Sequence, residues 1–153
     1  MRAAKLNATL NSAEEQCRHR GTRLTHKRRA VLKGLVSAGR AMSAYELVDY
    51  CERELGESIP SMSVYRILDF LVNEKLAHKL KLANRYVACV HIACNHRHAV
   101  PQFLICTECY RVEEVDISRS TMNALKQNVE CAGFELVSEQ IEVDCICSHC
   151  ADG

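Results

Sequence analysis

The chain has 153 residues, a formal net charge of +1, 48% hydrophobic residues and only 5% aromatic ones. That length accommodates one ordinary domain or two small ones. No apolar run approaches the ~20 residues that span a bilayer, and the basic stretch 1–12 is followed by no hydrophobic segment, so the expectation is a cytoplasmic protein without membrane span or signal peptide.

The small net charge conceals an asymmetry. Residues 1–82 carry 15 Lys and Arg against 9 Asp and Glu, whereas residues 83–153 carry 5 against 10. Of the ten cysteines, only Cys17 and Cys51 fall in the first part. A basic half followed by an acidic, Cys- and His-rich half suggests two modules with different partners. In a reducing compartment, closely spaced thiols are metal ligands or redox centres more often than disulfides.

Helix punctuation is clear in the basic half. Ser12 with Glu15 has a capping-box pattern, and Gly21 can close that helix. Thr25 can cap a second helix carrying Val31, Leu32, Leu35 and Val36, ended by Gly39. Ser43 with Glu46 opens a third, with Leu47, Val48, Cys51 and Leu55 at helical spacing before Gly56. After Pro60 the spacing of Val64, Leu68, Leu71 and Val72 predicts a fourth helix from about Ser61 to Asn73. Its early turns also hold Ser61, Ser63, Tyr65 and Arg66, residue types that reach base edges and phosphates when a helix enters the major groove. Leu76–Cys89 alternates around Ala83-Asn84 and reads as a hairpin. Three helices, a recognition helix and a hairpin make a winged helix-turn-helix. Lys79, Lys81 and Arg85 on the hairpin, and the run Arg20, Arg23, Lys27, Arg28, Arg29, suit phosphate contact.

The acidic half is dominated by Cys106-Thr-Glu-Cys109 and Cys147-Ser-His-Cys150. Two C-x2-C turns supply two edges of a sulfur tetrahedron, the common structural solution for Zn²⁺; Cys145, two residues before Cys147, is a competing ligand. Further ligand types are His78, Cys89, His91, Cys94, His96, His98 and Glu114, most of them where the modules join. A metal held there by both modules would bind two arrangements unequally, as a switch requires. Short strands are expected at Gln102–Cys106 and Arg111–Val115, a helix through Met122, Leu125 and Val129 to Gly133, and a strand pair over Phe134–Val143. So small a unit gains from metal and from self-association, and a dimer would offer two recognition helices to a two-fold operator. The expected fold class is α+β, with residues 1–89 a winged helix, 90–100 a hinge and 101–153 an α/β dimerisation and zinc-binding domain. The sequence holds no G-x-S-x-G, P-loop or H-E-x-x-H motif, so neither an enzyme nor a small-molecule substrate is expected. A zinc-ribbon interaction module or a thiol redox protein is the rival class.

Several stretches together resemble the ferric-uptake-regulator family: Arg23-Leu24-Thr25, Ser43-Ala44-Tyr45-Glu46-Leu47, Ser63-Val64-Tyr65-Arg66-Ile67-Leu68-Asp69-Phe70-Leu71, His78-Lys79 and the two C-x2-C pairs. Within it, "SAYELVD", "AHKL…NRYVAC" and the Cys-rich tail look most like the zinc-uptake-regulator branch. The resemblance implies a repressor that, loaded with zinc, binds operator DNA as a homodimer and controls zinc-uptake genes. It implies DNA contacts by Tyr45, Tyr65 and Arg66, and a structural zinc on Cys106, Cys109, Cys147 and Cys150. It further implies a regulatory zinc on His78, Cys89, Glu114 and a histidine, His98 or else His96, giving two zinc ions per subunit. An iron- or peroxide-responsive regulator of the same fold is the alternative; a thiolate at Cys89 favours the softer zinc. Three departures stand out: one residue more between His98 and Cys106 than the pattern has, which leaves His98 and His96 both open, Tyr110 where the pattern has glycine, and Ser61-Met62-Ser63 where a proline-containing cap is usual.

Overall fold

The second and third helices start and stop where the sequence places their caps. In α2 (His26–Ala38) the Thr25 hydroxyl accepts the Arg28 N–H at 3.4 Å, and in α3 (Ala44–Leu55) the Ser43 hydroxyl accepts that of Glu46 at 3.2 Å. Gly39 and Gly56 close these helices in the left-handed region, at φ +64° and +66°, where residues with a Cβ are strained. The structure, a computed structural model, describes residues 2–92, 101–138 and 140–153. They belong to two compact units, Met1–Asn95 and His96–Gly153.

The first unit adds α1 (Arg2–His19), α4 (Ser61–Asn73), β1 (Ala77–Leu80) and β2 (Arg85–Ala88). The helix expected to begin at Ser12 begins at Arg2 instead. Leu6, Leu10, Ala13 and Cys17 form one continuous stripe against the core, so the helix runs straight through the capping-box pattern. Helices α2 and α3 cross closely at Gly34. A Cβ there would stand 3.0 Å from Leu47 Cδ1 and 3.3 Å from Cys51 Sγ. Cys51 itself is buried, and desolvation pushes its thiol up to about 11, so it remains a neutral packing residue.

Helix α4 matches its expected span and buries Val64, Ile67, Leu68 and Leu71. Its C-terminal end is held by α1. Gln16 Nε2 donates to Glu74 O at 2.8 Å, Arg20 Nη2 to Asn73 O at 3.4 Å, and Arg20 Nε to Glu74 Oε2 at 2.8 Å. The first two satisfy carbonyls that a helix end leaves without intrahelical donors, and the third pairs the Glu74 carboxylate. Glu74 is 7% exposed, the one buried charged side chain among the described residues. Antiparallel β1 and β2 pair from Ala77↔Ala88 to Leu80↔Arg85, and Met42 joins the ladder through two backbone bonds with Tyr86. The hairpin is therefore tied to the start of α3, as in a winged helix.

The second unit contains β3 (Pro101–Cys106), β4 (Val112–Asp116), α5 (Arg119–Cys131), β5 (Ile141–Cys145) and α6 (Ser148–Ala151). The sheet order is β4-β3-β5, with β4 antiparallel and β5 parallel to β3. A parallel neighbour requires a crossover, and α5 supplies it, capped by Ser118 on the Thr121 N–H. Phe103 and Ile105 on β3 and Met122 on α5 are buried. The strand pair expected over Phe134–Val143 is not what forms. Residues 134–138 carry no strand, Phe134 and Val137 are exposed, and the strand is Ile141–Cys145. The stretch after α5 is consumed in returning the chain to the end of the sheet where β3 begins.

Candidate metal centre and nucleic-acid interface

Strands β3 and β5 run side by side and finish together, with Cys106 opposite Cys145. The two C-x2-C turns leave the sheet at that shared end. Cys106 heads the first, where the Tyr110 N–H donates to Cys106 O at 3.0 Å. Cys147 heads α6, and the Cys150 N–H donates to Cys147 O, also at 3.0 Å. The four sulfurs of Cys106, Cys109, Cys147 and Cys150 all lie within 4.8 Å of one another, and Cys109 Sγ is 3.8 Å from Cys147 Sγ. A tetrahedron with Zn–S bonds of about 2.3 Å has S···S edges of about 3.8 Å, so the residues present fit zinc. Cys145 is not in the cluster; its thiol donates to Val143 O at 3.6 Å.

Backbone donors prepare the cluster for a cation. The N–H of Cys147, 3.4 Å from Cys106 Sγ, and those of Cys109 and Glu108 hold the Cys106 thiol down at about 6. Cys150 is pushed up to about 12, chiefly by its hydrogen bonds with Cys147 and Cys109. Four thiols this close cannot all ionise by themselves; a divalent ion removes that conflict. Tyr110 occupies the left-handed region at φ 60°, the conformation for which a glycine is the unstrained choice.

In the first unit, the residues proposed for DNA stand at helix starts. Tyr45 is the second residue of α3, 71% exposed, and Tyr65 is the fifth of α4, 39% exposed. Their rings meet edge to face, centroids 6.5 Å apart at 88°. Arg66 is exposed beside Tyr65. Other basic residues are engaged within the fold. Arg29 bonds Glu14 and Asn11, Arg28 lies 3.7 Å over the Phe70 ring and donates to Arg23 O, and Arg20 pairs with Glu74. Arg85, 14% exposed, donates to Glu46 Oε2 at 2.7 Å, and Arg40 donates to the same oxygen at 3.1 Å. Arg85 therefore fastens the hairpin to α3. Its charge marked it as basic, but nothing in the sequence marked Glu46, read only as a capping residue, as its partner.

His78 on β1 and Cys89 just beyond β2 are diagonal neighbours on one face of the hairpin, their ligand atoms within 4.8 Å. Cys89 is buried, and its N–H donates to Leu76 O at 2.9 Å. Glu114 is half-buried on β4, opposite Phe103. His96, His98 and Cys94 lie outside the described residues.

A winged helix joined to an α/β unit with a four-cysteine metal centre defines the class. The model of the ferric uptake regulator family matches residues 19–144, and the chain belongs to that family. The zinc uptake regulation protein of Escherichia coli (strain K12) is 33% identical over 143 residues, which is 94% of this chain and 81% of that protein. Among solved structures, a zinc uptake regulator complexed with zinc and DNA superposes with a TM-score of 0.79 at 28% identity, covering 96% of this chain and 95% of that one. Holo XcZur superposes with a TM-score of 0.76 at 35% identity, covering 96% and 99%.

Proposed function

We propose that this chain is a zinc-responsive transcriptional repressor that binds operator DNA as a homodimer when zinc-loaded and controls zinc-uptake genes. The observation that carries the reading is the exposed Tyr65–Arg66 face at the start of α4, in a chain whose relatives include a zinc uptake regulator held with zinc and DNA. A helix entering the major groove by its N-terminal end presents such side chains to bases and phosphates. Residues 1–89 bind DNA through Tyr45, Tyr65 and Arg66, 90–100 act as hinge, and 101–153 dimerise. No helix among the described residues is long and apolar enough to cross a membrane; the repressor is read as cytoplasmic.

Two zinc ions per subunit have different roles in this reading. Cys106, Cys109, Cys147 and Cys150 hold the structural one. His78, Cys89, Glu114 and His98 hold the regulatory one, with His96 the other choice of histidine. A buried thiolate at Cys89 suits zinc better than the iron of the alternative reading. The deciding experiment is metal stoichiometry before and after mild chelation, read beside operator binding. One zinc resists chelation, and a second exchanges and raises operator affinity. Cys89→Ser abolishes the zinc response while leaving the resistant zinc in place; an unchanged response in that variant defeats the assignment.

A further inference from the structure

Helix α4 has two complementary stripes. Val64, Ile67, Leu68 and Leu71 are buried, whereas Met62, Tyr65, Arg66 and Asp69 are exposed at spacings of three and four residues, so the second set lines one outward face. Met62 is out of place there by hydrophobicity alone. It is 67% exposed, on the first turn of the helix. Among the described residues of the first unit, the large exposed apolar side chains are Tyr45, Met62, Tyr65, Leu82 and Val90; the first three stand within the opening turns of α3 and α4. Single exposed apolar residues are ordinary, but this one shares its stripe with an arginine and a tyrosine at a helix N-terminus, where the helix dipole favours a polyanion.

We infer that Met62 is a specificity-determining residue that packs on the C5-methyl group of a thymine in the major groove. The inference rests on the DNA-binding reading above. The floor of the major groove is polar except for thymine methyls, so an unbranched thioether carried to base level by the first turn of α4 has one apolar partner to meet. Its flexible side chain can adapt to that methyl without demanding one fixed helix insertion depth. Arg66, four residues on, reaches the same groove face and sets the register, while Met62 discriminates between bases that differ by the methyl.

The test uses the full-length, zinc-loaded protein and a duplex that it selects from a random pool. Each thymine is replaced singly by deoxyuridine, which removes the methyl and leaves pairing intact, and affinity is followed by fluorescence anisotropy. At one thymine in each half-site, the replacement weakens wild-type binding about three- to fivefold, the size expected for one buried methyl. Met62→Ala binds the thymine and uracil duplexes equally, and Met62→Leu restores part of the preference. Because Met62 is exposed, Tm of both variants stays near wild type. Zinc-dependent binding that ignores every replacement, or an unaltered thymine preference in Met62→Ala, overturns the inference while the repressor reading stands. Absence of any zinc-dependent DNA binding overturns both.

Discussion

The rings of Tyr45 and Tyr65 meet edge to face at 6.5 Å, joining the start of α3 to the start of α4 on the side proposed for DNA. An aromatic pair of this geometry contributes about 0.5–1.5 kcal/mol when well buried; these rings are exposed, so its contribution to folding is at the low end. Its value is orientation. Tyr45→Ala is expected to weaken operator binding about tenfold with little change in Tm, and Tyr45→Phe, which keeps the edge contact, to retain more of the affinity. Anisotropy titrations beside thermal melts separate the two effects.

Arg20→Ala should act in the opposite sense, on stability first. It leaves the buried Glu74 carboxylate without its 2.8 Å partner and removes one of the two side-chain donors to the carbonyls at the end of α4. Since the Arg20 side chain is itself nearly half exposed, solvent replaces part of the loss and the cost is about 1–2 kcal/mol. Urea unfolding followed by a probe in the first unit measures it. Glu74→Gln in the Arg20→Ala background should recover stability, because the uncompensated charge is gone.

Acid should loosen the hairpin through Glu46. Hydrogen bonds from Arg85, then from Arg40, hold this carboxyl below its ordinary value. A carboxyl depressed on folding stabilises above its unfolded pKa of roughly 4.3, and the contribution disappears as pH falls through the lower folded value. Wild type is therefore expected to exceed Glu46→Gln by about 0.5–1 kcal/mol at pH 7, reduced for the partial exposure of Glu46, and the gap should close below about pH 4. Stability curves of the two proteins across that range decide it; a gap that widens on acidification contradicts the ion pair.

Removing one sulfur should empty the structural centre. Cys109→Ser is expected to lose the chelation-resistant zinc and to unfold the α/β unit, since a structural zinc contributes more than a small core can. Cys131→Ser, an exposed thiol on α5, should keep the full metal content. Metal analysis of purified protein and near-ultraviolet circular dichroism give the comparison.

Much of the fold was legible because its signals are local. Thr25, Ser43, Gly39 and Gly56 mark helix ends by what their own side chains permit, and the stripe of α4 identifies its buried face without knowledge of what covers it. The four cysteines were legible for the same reason: a C-x2-C turn is a self-contained device. What escaped was set by partners distant in sequence. The Ser12 pattern gave way to the longer apolar stripe of α1, and the basic run at 20–29 is largely matched by Glu14, Asn11, Phe70 and Glu74. Alternation near 134–143 reads as a strand pair, whereas a single strand forms, Ile141–Cys145, and its partner is β3, in parallel. Arg85 shows the limit most plainly, because charge alone does not distinguish a residue that meets phosphate from one that fastens a hairpin to Glu46.

The parallel placement of β5 also sets a timetable. Cys109 and Cys147 touch in the folded unit although 38 positions separate them, with the crossover helix between. At roughly 5–20 residues per second of synthesis, the first thiol pair waits several seconds before the second exists, while the winged helix ahead of it is already complete. During that interval the nascent chain presents half a centre, able to capture a metal loosely but not to enclose it. Enclosure of a metal by the four sulfurs therefore waits until residues 147–150 have been made.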